Sequence, residues 1–230
     1  MINFLLKRFL FIHLFSCDYC IFFKIKFLVV KIKVSEIFTS FQGEGPYIGT
    51  PATFLRLYGC NLDCEWCDTD ISTYEILSVD DVFEIVMTQM EFNNIKTLII
   101  TGGEPTLQME ELKRLIKEFP DDIKIQMETN GSIFEYIPEI DYVISPKEDK
   151  ETVFKNYYKY DNTFFKFVIC SQEDIDEVIF LKDKYGYDKT IWLQGEFSKD
   201  TEMANLIREN FPRLNNVKLS VQTHKYLNQR

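Results

Sequence analysis

Thr53-Phe-Leu-Arg-Leu-Tyr-Gly-Cys-Asn-Leu-Asp-Cys-Glu-Trp-Cys67 reads as two pieces. Residues 53–58 are a short apolar run stopped by Gly59, the pattern of a strand buried in a parallel sheet. Cys60, Cys64 and Cys67 follow on the loop that this strand feeds, in C-x3-C-x2-C spacing. A four-iron cluster held by cysteines uses a thiolate on each iron. Three thiolates therefore leave one iron open to a ligand from outside the chain. Structural zinc takes four N/S ligands, commonly in paired knuckles. A second knuckle would need Cys17 and Cys20, or Cys170, because no paired C-x2-C follows Cys67 and the histidines are His13 and His224 alone. Disulfide frameworks suit small secreted chains, not 6 cysteines spread over 230 residues. The cluster ranks ahead of zinc, and both ahead of disulfides. The Cys17–Cys20 spacing reads as chance, and Cys170 as a core thiol at a strand end.

The same alternation of strand and helix continues downstream. Ser78-Val-Asp-Asp81 reads as a capping box before Val82, Phe83, Val86 and Met90 at helical spacing. Further strands are predicted at residues 97–101, 123–128, 142–145, 164–169, 191–194 and 217–221. Helices are predicted at 107–119, with Leu112, Leu115, Ile116 and Phe119 inward, and at 174–184 and 201–210. Strands alternating with helices imply a parallel sheet with right-handed crossovers. About six such units fall short of an eight-fold barrel. The fold class expected is therefore α/β, a partial, open (β/α)6 parallel barrel with its site at the C-terminal strand ends.

The net charge of -10 argues against direct nucleic-acid binding, since phosphates reward a basic face. Residues 1–33 differ in kind: Lys7, Arg8, Lys24, Lys26, Lys31 and Lys33 stand against Asp18 alone, so the remainder carries -15. Their apolar stretches are too broken to span a bilayer, and no small-residue cleavage site follows them. This leader is a membrane-surface anchor, an added strand with a disordered lead, or translated sequence upstream of the true start. The last reading is preferred, which leaves residues 34–230 as the domain. From Lys31 to Phe38 the chain alternates like an opening strand. Reduced-thiol chemistry suits the cytoplasm.

Gly102-Gly103-Glu104-Pro105 follows a predicted strand. Its glycines let backbone approach a ligand, and Glu104 can accept hydrogen bonds from an amino group. Alone, the run is equally a strand-to-helix turn opened by Pro105. Joined to the cysteine loop, it makes the chain resemble the radical S-adenosylmethionine superfamily. More narrowly, the chain resembles the 7-carboxy-7-deazaguanine synthase family. The matching stretches are Glu36-Ile-Phe-Thr-Ser-Phe-Gln-Gly-Glu-Gly45, Cys67-Asp-Thr69, Thr101-Gly-Gly-Glu-Pro105, Glu128-Thr-Asn-Gly131, Ser145-Pro-Lys147 and Gln222-Thr-His-Lys225.

The resemblance implies a magnesium-assisted lyase of queuosine and other 7-deazapurine biosynthesis. S-adenosylmethionine would sit on the open iron of a 4Fe-4S cluster and yield a 5′-deoxyadenosyl radical. The radical takes a hydrogen from 6-carboxy-5,6,7,8-tetrahydropterin, and the ring contracts to 7-carboxy-7-deazaguanine with loss of ammonia. It implies flavodoxin or ferredoxin as electron donor and a homodimer, with no membrane and no nucleic-acid partner.

It also implies roles. Phe41, Gln42, Gly43, Glu44, Arg56, Thr101, His224 and Arg230 fall to the substrate. Gly103, Glu104, Glu128, Ser145, Pro146, Lys147 and Gln194 fall to the nucleotide. Thr69 is the magnesium ligand, with Asp68 behind it. The residues admit plainer readings: Gln42-Gly-Glu-Gly45 as a Gly-rich turn, Thr69 as a turn residue, His224 as a solvated tail histidine. Arg56, set in an apolar strand, needs an anion, either an internal Asp or Glu or the substrate carboxylate. Competing functions are a glycyl-radical-enzyme activase, which has no obvious use for Gln42, Glu44, Arg56 or Thr69, and a non-catalytic zinc module.

Overall fold

The computed structural model describes residues 30–65, 67, 69–70 and 72–229. Residues 1–29, with Cys17 and Cys20, lie outside that set, as do Trp66, Asp68, Ile71 and Arg230. The described chain runs β1 (Lys31–Phe41), β2 (Pro51–Leu57), β3 (Glu75–Ser78), α1 (Val79–Asn93), β4 (Thr97–Gly102), α2 (Met109–Ile116), β5 (Lys124–Thr129), β6 (Asp141–Ile144) and α3 (Lys150–Tyr157). It continues with β7 (Thr163–Ile169), α4 (Gln172–Tyr185), β8 (Ile191–Gly195), α5 (Asp200–Glu209), β9 (Val217–Ser220) and α6 (Thr223–Tyr226).

The strands form one nine-stranded sheet in the order β3-β1-β2-β4-β5-β6-β7-β8-β9. From β2 onward, successive strands are parallel neighbours joined by six crossovers. β1 and β3 pair antiparallel at one edge. The edges β3 and β9 do not pair with each other, so the sheet is an open, partial barrel.

Two faces divide the parallel strands by the two-residue period of a strand. Leu55, Leu57, Leu98, Ile100, Met127, Phe165, Phe167 and Leu193 point outward. They pack with Val82, Val86, Leu112, Leu115, Ile175, Val178 and Ile207 of the helices. Each such aliphatic side chain stabilises the fold by ~1.5–3 kcal/mol when fully buried. The inner face carries Phe54 and Arg56 on β2, Thr101 on β4, Glu128 on β5, Lys166 and Val168 on β7, and Gln194 on β8. Phe38, Ala52, Phe54 and Ile99 form a small separate apolar cluster.

β1 breaks the alternation that its sequence suggests. Ile32 and Val34 belong to the outer core, whereas Phe38 belongs to the inner cluster. The register with β2 shifts between Val34 and Glu36. A bulge inserts one residue and reverses which side chains face in. After it, Glu36 lies opposite Arg56 and Phe38 opposite Phe54, with the two rings stacked at 4.9 Å. The strand begins at Lys31, so Lys31 to Lys33, assigned to the leader from composition, pair with β3.

The expected helix at 107–119 is shorter. Pro105–Gln108 makes a 3-10 turn capped by the Glu104 side chain, and α2 ends at Ile116, although Phe119 stays buried. β3 and α3 were not predicted. Ser78 does cap α1, accepting from the Asp81 N–H at 3.0 Å. Cys170 is exposed, because β7 has ended and the chain has turned toward α4, so it is not a core thiol.

Candidate active site

The segment after β1 crosses the inner face of the sheet. The Gln42 amide donates to Glu128 on β5 at 2.8 Å, and the Gly45 N–H donates to Ser220 on β9 at 3.1 Å. Between them, Glu44 pairs with Lys166 on β7. These contacts wall one side of a cavity of about 880 Å³. The cysteine loop walls the other: Cys60, Cys64 and Cys67 all line the cavity, and all three are free thiols.

The loop is held by its neighbours rather than by regular structure. Asn130 donates to the Asn61 side chain at 3.0 Å, and Asn61 donates to Ser132 at 2.9 Å. A Cβ on Gly103 would overlap the Gly59 carbonyl and come within 2.9 Å of the Cys60 Cβ. Glycine at 103 is thus what lets the β4 end lie against the cysteine loop. Among the described residues, no three His, Cys, Asp or Glu gather closely enough to hold a single metal ion. Single-ion sites need all donors in one coordination sphere. The donor set, free thiols on a shared cavity wall, fits a larger cluster taking one thiolate per iron. Burial pushes the Cys64 thiol up, and Cys67 and Cys60 add to this while Lys147 opposes it.

Most residues singled out from sequence meet at this cavity. Phe41, Gln42, Gly43 and Glu44 line it from the crossing segment, and Arg56, Thr101, Glu128 and Gln194 from the strands. Gly103, Ser145, Lys147, Thr69 and His224 line it from the loops. Asp68 and Arg230 lie outside the described residues, and two of the others do not line it. Pro146 is buried away from the cavity. Glu104, expected to receive an amino group, is 0 % exposed and held by four protein donors. It accepts from the Thr106 N–H and hydroxyl at 3.0 and 2.6 Å, the Thr129 hydroxyl at 2.6 Å and the Asn130 N–H at 2.7 Å. A carboxylate held by four protein donors braces the β4 and β5 ends, and Glu104 is not among the residues that line the cavity.

Arg56 resolves its two readings in part. Its Nε donates to Glu36 at 2.8 Å, the internal carboxylate that the bulge brings opposite it. A guanidinium has five N–H donors. The terminal nitrogens have no protein acceptor among the described residues, and the group lines the cavity above the Phe38 ring. Glu128 is shared: Oε1 takes Gln42 and Oε2 takes the Thr101 hydroxyl at 2.9 Å. Lys147 donates to Ser145 at 2.9 Å. Burial, then the charge of Lys166, pushes Lys147 down to about 8.

Sequence reading missed Glu36, Lys166, Gln222 and Asn130. Lys166 was discoverable, because it interrupts the apolar strand Phe164-Phe-Lys-Phe-Val-Ile169 as Arg56 interrupts its own. Gln222 belongs to the C-terminal segment that locks onto the crossing segment. Its amide donates to Glu44 at 2.7 Å, and the Thr223 N–H and hydroxyl donate to the Gly43 carbonyl, each at 3.1 Å.

The His224 ring packs where a Cβ on Gly43 would be. Gly43→Ala is therefore expected to dislodge the segment from Gln222 onward while leaving the sheet intact. A misplacement of about 1 Å at an active-site wall can cost about 100-fold in rate, and a loss of that order is expected here. Limited proteolysis should show earlier cleavage near the C-terminus. Unchanged cleavage and unchanged turnover would contradict this packing.

Residues 54–144 match the model of the Radical SAM superfamily. Over 213 residues the chain is 32% identical to the 7-carboxy-7-deazaguanine synthase of Rickettsia prowazekii, covering 86% of this chain and 88% of that protein. It is 33% identical to the enzyme of the same name from Buchnera aphidicola subsp. Schizaphis graminum, over 84% of this chain and 97% of that one. The crystal structure of QueE from Escherichia coli has the same fold, with a TM-score of 0.66 at 23% identity, covering 83% of this chain and 93% of that one. Neither an activase nor a zinc module is among these relatives. The three-cysteine loop, the inner-face carboxylates and these likenesses agree, and the chain belongs to the 7-carboxy-7-deazaguanine synthase family of the radical SAM superfamily.

Proposed function

We propose that this protein converts 6-carboxy-5,6,7,8-tetrahydropterin to 7-carboxy-7-deazaguanine with release of ammonia. The observation that carries this reading is that three free thiols and the Lys166-paired Glu44 share one cavity. When bound, the 4Fe-4S cluster and S-adenosylmethionine supply the one-electron chemistry. The chain supplies position. Glu44 offers carboxylate lone pairs to the N–H groups of the pterin edge. The terminal nitrogens of Arg56 offer a two-pronged grip for the substrate carboxylate. Gly103, Ser145, Lys147 and Gln194 face the nucleotide, Glu128 contributes through Gln42 and Thr101, and Cys60, Cys64 and Cys67 hold the cluster. Glu104 supports this arrangement from behind.

Magnesium is part of the same reading. Thr69 lines the cavity, as do its neighbour Asp70 and Asp63, and offers a hard oxygen donor of the kind that magnesium takes alongside waters and substrate oxygens. Thr69→Ala is expected to raise the magnesium concentration for half-maximal turnover by about tenfold. An unaltered magnesium titration would remove Thr69 from that role. Flavodoxin or ferredoxin as reductant, a homodimer and the cytoplasm complete the reading. Exposed thiols at Cys60 and Cys67 favour a reducing compartment. Among the described residues no helix is long and apolar enough to cross a membrane.

The decisive experiment is anaerobic turnover with the carboxytetrahydropterin, S-adenosylmethionine, a reductant and magnesium. The deazaguanine acid and ammonia should form together. If 5′-deoxyadenosine accumulates while the pterin stays intact, the substrate is wrong.

A further inference from the structure

Lys166 stands between Phe165 and Phe167 on β7 and is 8% exposed. Taking an ammonium and a carboxylate out of water costs several kcal/mol each, and an apolar pair of similar volume is often as stable or more so. The Lys166–Glu44 pair is thus not explained by the stability of the fold. It also joins segments far apart in sequence, the crossing segment and β7.

Glu44 receives Lys166 on Oε2 and Gln222 on Oε1. A carboxylate has about four lone-pair sites, so about two remain for the cavity it lines. Burial alone would push this carboxyl up and neutralise it. The charge and hydrogen bond of Lys166, then the Gln222 amide and His224, outweigh burial and hold it below the usual carboxylate range. His224 acts on it through its charge, and the Glu44 charge in turn acts on Lys147. A neutral carboxyl would present an O–H where a ring edge presents N–H, donor against donor.

We propose that Lys166 is a positioning residue that keeps Glu44 a fixed hydrogen-bond acceptor, and so sets selectivity for a heterocycle edge with adjacent N–H donors. This rests on the reading of Glu44 as the ring-edge acceptor. Lys166 acts on the ring through Glu44.

The test is binding of 6-carboxy-5,6,7,8-tetrahydropterin to the reconstituted holoenzyme under anaerobic conditions from pH 6 to 9. Wild type, Lys166→Gln, Lys166→Arg and Glu44→Gln are compared. Without the ammonium, the Glu44 pKa rises, so acceptor capacity is present above the raised value and lost as pH falls through it. Lys166→Gln should bind at least about tenfold more weakly than wild type at pH 6, with the gap narrowing toward pH 9. Lys166→Arg, which keeps the charge, should follow wild type. Glu44→Gln should be weak at every pH. A Lys166→Gln affinity equal to wild type across the range overturns the proposal while leaving the substrate assignment standing. A deficit that does not change with pH also overturns it, pointing to lost packing. Failure of wild type to bind the pterin overturns the substrate assignment and this proposal together. If Lys166→Gln does not fold, Lys166→Arg decides: pterin affinity well below wild type with the cluster intact refutes the charge role.

Discussion

Cys64→Ala is expected to yield a folded protein that assembles no four-iron cluster and cleaves no S-adenosylmethionine. Cys64 is the middle thiol, and its carbonyl accepts the Cys67 N–H at 3.0 Å, so the two cysteines share one turn. With Cys64 gone, two thiolates remain for four irons, and Cys-held clusters take one thiolate per iron. After anaerobic reconstitution, wild type should carry about four irons per chain with matching sulfide. The variant should carry at most a small fraction of that and form 5′-deoxyadenosine at a rate reduced by about a thousandfold or more, since loss of the cofactor removes the chemistry itself. The fold should survive. Cys60, Cys64 and Cys67 contribute to neither apolar cluster, and the sheet hydrogen bonds end at Leu57 on β2. Urea unfolding of the apo forms should therefore coincide. A variant that keeps its iron and its nucleotide cleavage would remove the three-thiolate assignment. Stoichiometric zinc without sulfide in wild type would do so as well.

The parallel strands and the end of the sheet that carries the cavity were legible from the chain because both follow from local patterns. Apolar runs stopped by glycine located the parallel strands, and polar residues at their ends located the site. What could not be read depends on register and on partners distant in sequence. The bulge between Val34 and Glu36 has no sequence mark beyond an unremarkable serine, yet it decides that Glu36 faces Arg56. β3 is a four-residue edge strand defined only by β1 beside it. Two-turn α3 has Val153, Phe154 and Tyr157 on its buried side, too few positions to show a period. Gln222 and Lys166 converge on Glu44 from positions 178 and 122 residues away. Family resemblance named the motif around Glu44 and the stretch that holds Gln222 and His224, but not Lys166.

Glu104 separates a ligand contact from a structural brace, and Glu104→Ala is expected to act on stability. The carboxylate serves two buried backbone N–H groups, those of Thr106 and Asn130, and two hydroxyls. The hydroxyls can rotate toward other acceptors, whereas the N–H groups are fixed by the turn and the strand end. A buried donor left unsatisfied costs about 1–3 kcal/mol, so losing both acceptors should cost about 4 kcal/mol. The midpoint of urea unfolding should fall accordingly, with an unchanged slope. Glu104→Gln should lie between, because its oxygen can still serve Thr106 and Thr129 while its NH2 opposes the Asn130 N–H. The damage should also spread toward the cysteine loop, since Asn130 is the residue that holds Asn61. Were Glu104 instead a receptor for the amino group of the nucleotide, apo stability would stay close to wild type and S-adenosylmethionine affinity alone would fall. A stable Glu104→Ala protein with weakened nucleotide binding would thus restore the role that sequence suggested. A destabilised one, whose remaining folded fraction binds the nucleotide normally, establishes the brace.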